Sequence, residues 1–472
     1  MSDDFTKRLR SVVKNHVPDC TDLISVDRLS GGASQETYRL KVDTTHGPQL
    51  LAMRRAPGGL HNEPVVGHPG LAAEALLMRA AAAAGVPEPQ VHYVLEVADG
   101  LGDGFIMQWL EGEALGARIV KSPDLAGVRE NLAFECGQIL ARIHAIDLSD
   151  SGLDKVLSPQ PPSDYVEQTW ERYRAFNTPQ PMIDYVGRWL KDNLPQTAEQ
   201  KLVHNDFRNG NVMVSTEGVV AVLDWEVAHI GDPMRDLGWI CTNSWRFGRS
   251  DLPVGGFGRY EDLFAGYESV SGEAVNPQRV KFWEVFGSFW WAVGCLGMAE
   301  HYRSGPDKTV ERPGIGRRSS ECQVDCANLL IPGPVQLVEG LDLTASDEMP
   351  RLDELLISVR DYLRNDVMAA TQGRLNFMSR VAANSLDIVL RDLASGERHR
   401  DAETARLRTL LNAPDASLSD LRWRLVKGLR GGEIALSDVD LQTHLRTTVV
   451  NQLAIDQPVY SGLKNALSFN AA

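Results

Sequence analysis

Cysteine is scarce in this 472-residue chain, and its few cysteines are widely scattered. The six positions are Cys20, Cys136, Cys241, Cys295, Cys322 and Cys326. The nearest pair, Cys322 and Cys326, has the spacing C-x3-C, with no second pair and no nearby histidine. A structural zinc site or a disulfide framework is therefore not expected. Reduced thiols in a cytoplasmic protein fit this pattern best.

Long apolar runs and a net positive charge are missing as well. No apolar run approaches the ~18 residues that a membrane-spanning helix requires. The first residues, Met1 to Phe5, show neither the basic nor the apolar region of a secretory signal. The 48 Lys and Arg are outnumbered by 63 Asp and Glu, for a formal net charge of −15. We therefore expect neither nucleic acid nor a membrane among the partners, because nucleic-acid binding usually needs a basic field.

The composition is that of an ordinary globular protein, with 43% apolar and 24% charged residues. The length suggests two or three domains. The acidity is uneven: residues 341–472 carry 16 basic and 18 acidic residues, whereas the first 340 carry 32 and 45. A Pro- and Gly-rich seam at 331–334 precedes this change. We place domain boundaries so that the segments are 1–110, 111–338 and 339–472.

Periodicity predicts a mixed first segment and a mainly helical remainder. In segment 1–110 the periodicity predicts four strands, at 39–43, 49–54, 91–97 and 105–110. It also predicts one helix, at 71–84. Helices should dominate 113–335, including one near 129–145, with a hairpin made by 211–214 and 219–223. The last segment should be helical throughout, near 348–369, 374–395, 400–412, 417–430 and 436–455.

The segment that carries chemistry begins at His204. It has the form H-x-D-x-x-x-x-N, with Asp206 and Asn211, followed by the predicted hairpin and then Asp224. Phosphoryl transfer needs a carboxylate that accepts the proton of the attacking hydroxyl, and Asp206 suits this role. It also needs oxygen ligands for Mg²⁺, and Asn211 and Asp224 suit that role because Mg²⁺ takes few protein oxygens. The hairpin should bring positions 211 and 224 together.

These residues resemble the aminoglycoside phosphotransferase/choline kinase-like family. The run Gly231-Asp232-Pro233-Met234-Arg235-Asp236 is typical of that family, and the match extends from about residue 29 to 330. The resemblance implies an α+β, bilobal protein-kinase-like fold with a small β-rich N-lobe (1–110), a mainly helical C-lobe (111–338) and an all-α C-terminal domain (339–472). It implies an ATP- and Mg²⁺-dependent small-molecule kinase, with Asp206 and His204 as catalytic residues and Asn211 and Asp224 as metal ligands.

Nucleotide-binding residues follow from the same resemblance. Gly31, Gly32 and Ser34 belong to a loop whose backbone N–H groups can approach phosphates. The family has a phosphate-binding Lys at the end of the next strand, where this chain has Arg54 and Arg55. Arg54 is our choice for that role, because arginine stays charged and binds phosphate in a fork geometry. The choice between Arg54 and Arg55 remains open.

Three further positions complete this prediction. Glu74, on helix 71–84, is the expected ion-pair partner of Arg54. Gln108 and Leu110 match the hinge segment whose backbone would contact the adenine edge. His144 resembles a residue of a family helix, and we interpret it as a packing histidine.

The acceptor is indicated by a local basic patch. Residues 303–318 carry a net charge of +3 in an otherwise acidic region. Its arginines are candidates for binding an anionic substrate, since arginine binds carboxylate and phosphate well: Arg303, Arg312, Arg317 and Arg318. The strings at 29–34 and 222–226 look most like the family branch associated with acyl-CoA dehydrogenases. That branch implies a hydroxyacyl-CoA or a related hydroxy acid as acceptor.

Two alternatives stay open at this point. The acceptor could instead be an aminoglycoside, an amino alcohol or a sugar, which acidic pocket residues near Asp206 would support. The chain could also be a nucleotide-binding pseudokinase that acts as a scaffold, because Arg54 replaces the family's Lys. The C-terminal helices, with a basic stretch at 422–430, are expected to pack on the kinase or to form a homodimer.

Overall fold

The structure is a computed structural model, which describes residues 3–29, 35–61, 67–195 and 200–470. The chain forms two compact units. The first consists of Met1–Pro162 and Gln196–Glu284, and the second of Ser163–Pro195 and Val285–Ala472. These units do not coincide with the three predicted segments, which remain a prediction. No helix within the described ranges is long and apolar enough to cross a membrane.

Strands are confined to the first unit in the described part of the chain. Their bounds are β1 (Cys20–Arg28), β2 (Glu36–Thr44), β3 (Gly47–Arg55), β4 (Val91–Val94), β5 (Gly104–Gln108), β6 (Lys201–Val203), β7 (Val212–Ser215), β8 (Gly218–Val222) and β9 (His229–Gly231).

Helices make up most of the rest. Their bounds are α1 (Asp3–His16), α2 (Leu71–Ala83), α3 (Gly116–Lys121), α4 (Ala126–His144), α5 (Pro162–Ala175), α6 (Pro181–Asp192), α7 (Met234–Cys241), α8 (Tyr260–Ser271), α9 (Pro277–Ser304), α10 (Glu311–Arg317), α11 (Ser319–Leu330), α12 (Leu352–Tyr362), α13 (Met368–Ala370), α14 (Gly373–Leu410), α15 (Leu418–Gly431), α16 (Val439–Asp456) and α17 (Ser461–Ser468). This mixture confirms the predicted α+β class.

The small sheet of the first unit is antiparallel, in the order β1-β2-β3-β5-β4. Helix α1 covers one face of the sheet, because its apolar positions Leu9, Val12 and Val13 fall on one side and are buried against the strands. β3 lies between β2 and β5, with Arg54 opposite Thr37 on one side and Phe105 on the other. Successive side chains of a strand point to opposite faces, so Arg54 and Arg55 project in opposite directions.

Two short strand pairs position the remaining site residues. β6 pairs with β9, and β7 pairs with β8 as the predicted hairpin. The hairpin is fastened to the segment after β5, because Val214 and Glu113 exchange backbone hydrogen bonds of 2.8 and 2.9 Å. The loop that follows β6 and the turn that follows β8 are thereby held at one end of the hairpin.

Helices α4 and α8 cross unusually closely because of two glycines. A Cβ atom at Gly137 would lie 2.1 Å from the carbonyl oxygen of Leu263, and one at Gly266 would lie 2.0 Å from that of Phe134. Both obstacles are backbone atoms, which cannot rotate away. The two helices can therefore pack at this distance only with glycine at both positions.

We expect Gly266→Ala to lower the free energy of unfolding by about 1–3 kcal/mol or more, the usual cost of overpacking. Urea unfolding of the full chain measures the effect. Gly127→Ala, on α4, is the matched control, since nothing lies within 4 Å of its ideal Cβ position. It should be neutral or stabilising, because alanine is the better helix former. Equal stability of the two variants would contradict the close crossing.

The second unit consists of helices and connecting segments and has no strand among its described residues. α14 is one helix of 38 residues, so the break predicted between 395 and 400 is wrong. Gly396 lies inside this helix and is buried, and one glycine costs a helix only about 1 kcal/mol relative to alanine. α15 contacts α6 through Arg430, whose Nε and Nη2 donate to the buried Asp184 at 2.7 and 3.2 Å. The C-terminal helices thus pack on a helix from the predicted C-lobe segment.

Candidate active site

The loop that follows β6 is fixed by one buried carboxylate, Asp236 on α7. Its Oδ2 accepts the backbone N–H of His204 at 2.9 Å, and its Oδ1 accepts that of Asn205 at 2.7 Å. Asn205 has a φ of 69°, a left-handed conformation that asparagine tolerates better than most residues. Asp236 therefore holds the backbone of the predicted catalytic loop in a strained but defined shape.

Asp236 is in turn supported by His144 of α4. His144 Nε2 lies 3.0 Å from Asp236 Oδ2, and its Nδ1 lies 3.1 Å from the hydroxyl of Tyr267. Burial raises the pKa of the Asp236 carboxyl, but the hydrogen bond and charge of His144 and the contacts with His204 outweigh it and lower that pKa overall. Asp236 is ionised at neutral pH, as an acceptor of several N–H groups should be.

His204 is fully buried and makes its contacts within the chain. Its Nδ1 accepts the backbone N–H of Asp206 at 3.2 Å, and its Nε2 lies 3.1 Å from the carbonyl oxygen of Leu223. Burial lowers the pKa of this imidazole, which keeps it neutral. The ring therefore connects the loop of Asp206 with the turn that carries Asp224.

The Asp206 carboxylate is oriented by three side-chain donors. Trp239 Nε1 donates to Oδ1 at 2.8 Å, and Asn211 Nδ2 donates to Oδ2 at 2.6 Å. Arg208 forms a two-pronged contact, with Nε 2.9 Å from Oδ1 and Nη2 3.1 Å from Oδ2. The guanidinium of Arg208 also lies over the ring of Trp245, 4.2 Å from its centroid. Asp206 keeps 18% of its side chain exposed, so it remains accessible.

The hairpin brings Asn211 and Asp224 together, as predicted from the spacing. The backbone N–H of Leu223, next to Asp224, donates to the carbonyl oxygen of Asn211 at 2.7 Å. Asn211 also donates from Nδ2 to the carbonyl oxygen of Asp206 at 3.0 Å, so its amide oxygen is directed away from Asp206. Asp224 has a φ of 70°, which turns the chain sharply after β8. Their use as metal ligands stays a prediction.

Arg54 lies among three carboxylates. Its Nη2 is 2.5 Å from Asp224 Oδ1 and 3.5 Å from Glu226 Oε2, and its Nε is 3.5 Å from Glu74 Oε2. Arg54 and Glu74 are thus neighbours, as we predicted for an ion pair. One cation faces three acidic groups, which leaves local negative charge that a divalent cation could compensate.

Arg55 points to the opposite side of the sheet. Its Nε donates to the carbonyl oxygen of Leu101 at 2.6 Å, and its guanidinium lies 4.7 Å from the ring centroid of Phe5. Of the two arginines considered for phosphate binding, Arg54 is therefore the one that lies beside Asp224. The reason is the alternation of side chains along β3.

Of the remaining residues predicted to bind the nucleotide, the structure describes two. Gln108 ends β5, where its backbone N–H donates to the carbonyl oxygen of Gln90 at 2.8 Å, and Leu110 follows as a half-buried residue. Both lie in the connection between the sheet and the helical part of the first unit. Gly31, Gly32 and Ser34 lie outside the described residues.

The buried Glu74 gives the first unit a pH dependence. Burial is the main cause that raises the pKa of its carboxyl to about 7, against 4.5 in the unfolded chain, and Arg54 only partly opposes this. Between these two values the native state binds more protons than the unfolded state, so stability falls as pH rises. Glu74→Gln should remove this fall, which amounts to roughly 1–3 kcal/mol.

Urea unfolding at about pH 5.5 and about pH 7.5 measures this difference in wild type and variant. Glu130→Gln, an exposed carboxylate on α4, is the control and should leave the wild-type pH dependence in place. Parallel pH profiles for Glu74→Gln and wild type would contradict the raised pKa.

The predicted substrate arginines belong to the second unit. Three of them are ion-paired with local carboxylates: Arg312 with Asp307 (2.8 Å), Arg317 with Asp456 (2.9 Å) and Arg318 with Glu321 (3.0 Å). Arg303 is exposed. Much of the positive charge of the patch is therefore compensated locally, and its use as a substrate clamp stays a prediction.

Sequence reasoning missed Arg208, Trp239, Glu226 and Trp245 at this site. Arg208 stands two residues after Asp206, a position at which a side chain could reach that carboxylate. Trp239 carried no local signal, because it is 33 residues from Asp206 in sequence and reaches it only through the placement of α7. Glu226 stands in the same short segment as Asp224, so it could have been found.

A small antiparallel sheet with a cationic strand end, a catalytic-type loop and a hairpin-borne carboxylate together define the class of phosphotransferases with a protein-kinase-like fold. The chain belongs to the phosphotransferase enzyme family, whose model matches residues 25–272. Residues 369–460 match a domain of unknown function (DUF6285). The predicted family is thereby confirmed.

Curated relatives extend this result. Acyl-CoA dehydrogenase family member 10 of Mus musculus is 32% identical over 251 residues, which are 51% of this chain and 22% of the relative. Acyl-CoA dehydrogenase family member 11 of Gallus gallus is 30% identical over 329 residues, which are 66% of this chain and 39% of the relative. The chain thus spans less than two fifths of the length of either relative.

A solved structure supports the fold. The crystal structure of a candidate aminoglycoside phosphotransferase from Ralstonia eutropha superposes with a TM-score of 0.54 at 23% identity. The superposition covers 67% of this chain and 95% of the other.

Proposed function

We propose that this chain transfers the γ-phosphoryl group of ATP, with Mg²⁺, to a hydroxyl group of a hydroxyacyl-CoA or a related hydroxy acid. The observation that carries the proposal is the meeting of Asp206, Asn211 and Asp224 at one end of the hairpin, with Arg54 beside them.

In this proposal Asp206 is the general base. It accepts the proton of the acceptor hydroxyl as the oxygen–phosphorus bond forms and ADP leaves. Arg208, Trp239 and Asn211 hold the carboxylate in one orientation, so little reorganisation is needed at the moment of reaction. We assign positioning roles to His204 and Asp236, because their side chains form hydrogen bonds with backbone groups of the loop and of the turn that carries Asp224.

The donor set fits a magnesium nucleotide. Asp224 and the amide oxygen of Asn211 are the hard oxygen ligands that Mg²⁺ prefers. The excess of carboxylates around Arg54 suits added positive charge, and the guanidinium of Arg54 suits a phosphate. Bound Mg²⁺ would neutralise the charge that develops on the phosphates. Gln108 and Leu110 would border the adenine through their backbone.

The acceptor class is supported by the names of the relatives, which are acyl-CoA dehydrogenase family members. Because this chain shares a domain with such proteins, we expect an acyl-CoA thioester to be its substrate. The phosphates of CoA and the carboxylate of a hydroxy acid are both groups that arginine side chains bind well.

The proposal is tested by ADP release with a panel of acceptors: hydroxyacyl-CoAs, hydroxy acids, amino alcohols, aminoglycosides and sugars. We expect turnover with the hydroxylated thioesters or acids, and a new phosphate ester by phosphorus NMR. Non-hydroxylated acyl-CoAs of equal length are the matched controls and should give none. Turnover with choline or an aminoglycoside alone would favour the amino-alcohol or aminoglycoside alternative.

A scaffold role is the second candidate, and the contact of Arg54 with Asp224 favours it. An arginine 2.5 Å from a metal-binding carboxylate competes with the cation for that oxygen. If ATP binds with no dependence on Mg²⁺ and no acceptor in the panel is phosphorylated, this alternative replaces the kinase.

A further inference from the structure

The second unit contains a cavity of about 560 Å³, a volume that suits a small organic molecule. Its wall is formed by residues of α6, α9, α10, α11, α14, α15 and α16 and of the segment before α6. Part of the wall is apolar, with Met182, Leu296, Leu445 and Val449. The polar part includes two histidines that the phosphotransferase site does not use.

These histidines, His399 on α14 and His444 on α16, are 1% and 2% exposed. Neither ring nitrogen of either residue has a hydrogen-bond partner among the described residues. Burial lowers the pKa of both imidazoles to about 4, so both are neutral at pH 7. A neutral imidazole carries one N–H donor and one nitrogen acceptor. Buried polar groups are almost always hydrogen-bonded, so two such rings in one cavity wall call for a partner.

The charged groups of the wall limit the charge of that partner. Glu403 accepts two hydrogen bonds from Arg422, at 2.7 and 2.5 Å, and Asp456 is paired with Arg317. Within each pair the positive and the negative charge largely cancel. Arg303 is exposed and forms no ion pair with the residues that the structure describes. The wall therefore offers one cation for one negative charge.

Four classes of ligand fit this wall poorly. A dianion such as a phosphate ester would meet the carboxylates of Glu403 and Asp456 with only one free cation. An organic cation would be repelled by Arg303. A purely apolar molecule would leave both imidazoles unpaired, which is unfavourable for buried polar groups. A metal ion is not supported, because the two carboxylates of the wall, Glu403 and Asp456, are already paired with Arg422 and Arg317.

We propose that this cavity binds a small organic monocarboxylate whose body carries hydroxyl or amide groups. His399 and His444 bond the polar body, the apolar wall covers its carbon atoms, and Arg303 holds the carboxylate. This site uses other residues than the proposed phosphoryl-transfer site, so binding in the cavity can be tested independently of the proposed kinase activity.

Pantothenate is the probe, because it combines one carboxylate with hydroxyl groups and an amide. Decanoate is the matched probe, since it has the carboxylate and an apolar body but no other hydrogen-bonding group. Calorimetry with the full chain should detect pantothenate and give weaker or no binding of decanoate. His399→Phe and His444→Phe should each weaken pantothenate binding roughly 5- to 100-fold, the effect of leaving a buried polar group of the ligand unpaired.

The same two variants should melt at the wild-type temperature or above, because an apolar ring replaces an unpaired polar one. Arg303→Ala, at an exposed position, should weaken pantothenate about tenfold, as expected for one charge-assisted hydrogen bond. Arg400→Ala is the control: it is exposed, next to His399 in sequence and outside the cavity wall, and should bind as wild type does.

Absence of pantothenate binding to the wild type would overturn the proposal. Equal binding of decanoate, or unchanged affinity in both phenylalanine variants, would overturn the role of the imidazoles. If the phenylalanine variants unfold instead, the histidines are structural, and an unchanged affinity in Arg303→Ala then overturns the site as a whole.

Discussion

Asp206→Asn is expected to lower kcat by ~10²–10⁴-fold, the contribution typical of a general base. The amide cannot take the proton of the acceptor hydroxyl, although it fills the same space. Its oxygen can still accept from Trp239, while its NH2 group loses the contacts that Oδ2 accepts from Asn211 and Arg208. The loop should keep its shape because Asp236 still bonds the loop backbone. The Kd of Mg²⁺-ATP should change little, because Asp206 is not assigned to the nucleotide. Steady-state kinetics with the best acceptor and calorimetry with ATP check both statements.

A thermal melt separates this effect from a loss of folding. Arg208→Gln is the informative companion, since it removes the two-pronged contact but leaves the base in place. It should lower kcat by less than Asp206→Asn does. If Asp206→Asn retains activity within a few-fold of wild type, another group is the base.

Asp224→Ala is expected to abolish the Mg²⁺-dependent tightening of ATP binding and to lower turnover by about 10²–10³-fold, the rate equivalent of several kcal/mol. The reason is that a hard cation loses its carboxylate ligand. The variant also frees Arg54 from its contact at 2.5 Å, so ATP without Mg²⁺ should bind at least as well as to wild type. Calorimetry with and without Mg²⁺ distinguishes the two effects.

Glu226→Gln is the matched control for this variant. Glu226 also faces Arg54, at 3.5 Å, but it is not assigned to the metal. It should therefore retain the Mg²⁺ effect. An unchanged Mg²⁺ effect in Asp224→Ala, or its loss only in Glu226→Gln, would place the metal at a different carboxylate.

The proximity of Asp206, Asn211 and Asp224 was predictable because these residues are close in sequence. Asp206 and Asn211 occupy one loop, and a hairpin returns the chain to Asp224 within a few residues of Asn211. Local hydrogen bonding, such as that from Leu223 to Asn211, is then enough to bring them together. The role of strand alternation at Arg54 and Arg55 could also be inferred, but only once the direction of β3 was known.

Other contacts could not be predicted, since they join distant segments. Trp239 reaches Asp206 because Asp236, on the same helix, bonds the backbone of the loop. His399 and His444 share a cavity wall because α14 packs on α16. Helix α14 continues through Gly396, inside the gap that periodicity left between 395 and 400, because packing outweighs the small cost of one glycine.

Periodicity was sufficient for the mixed first segment and the mainly helical remainder, and the resemblance of the motifs was sufficient for the family, because these depend on local order along the chain. The orientation of Asp206 by Arg208 and Trp239, the placement of Arg54 among Glu74, Asp224 and Glu226, and the grouping of residues 163–195 with the C-terminal helices came from the folded structure. They depend on which helix and strand faces meet, and many different pairings of apolar faces are compatible with one pattern of periodicity.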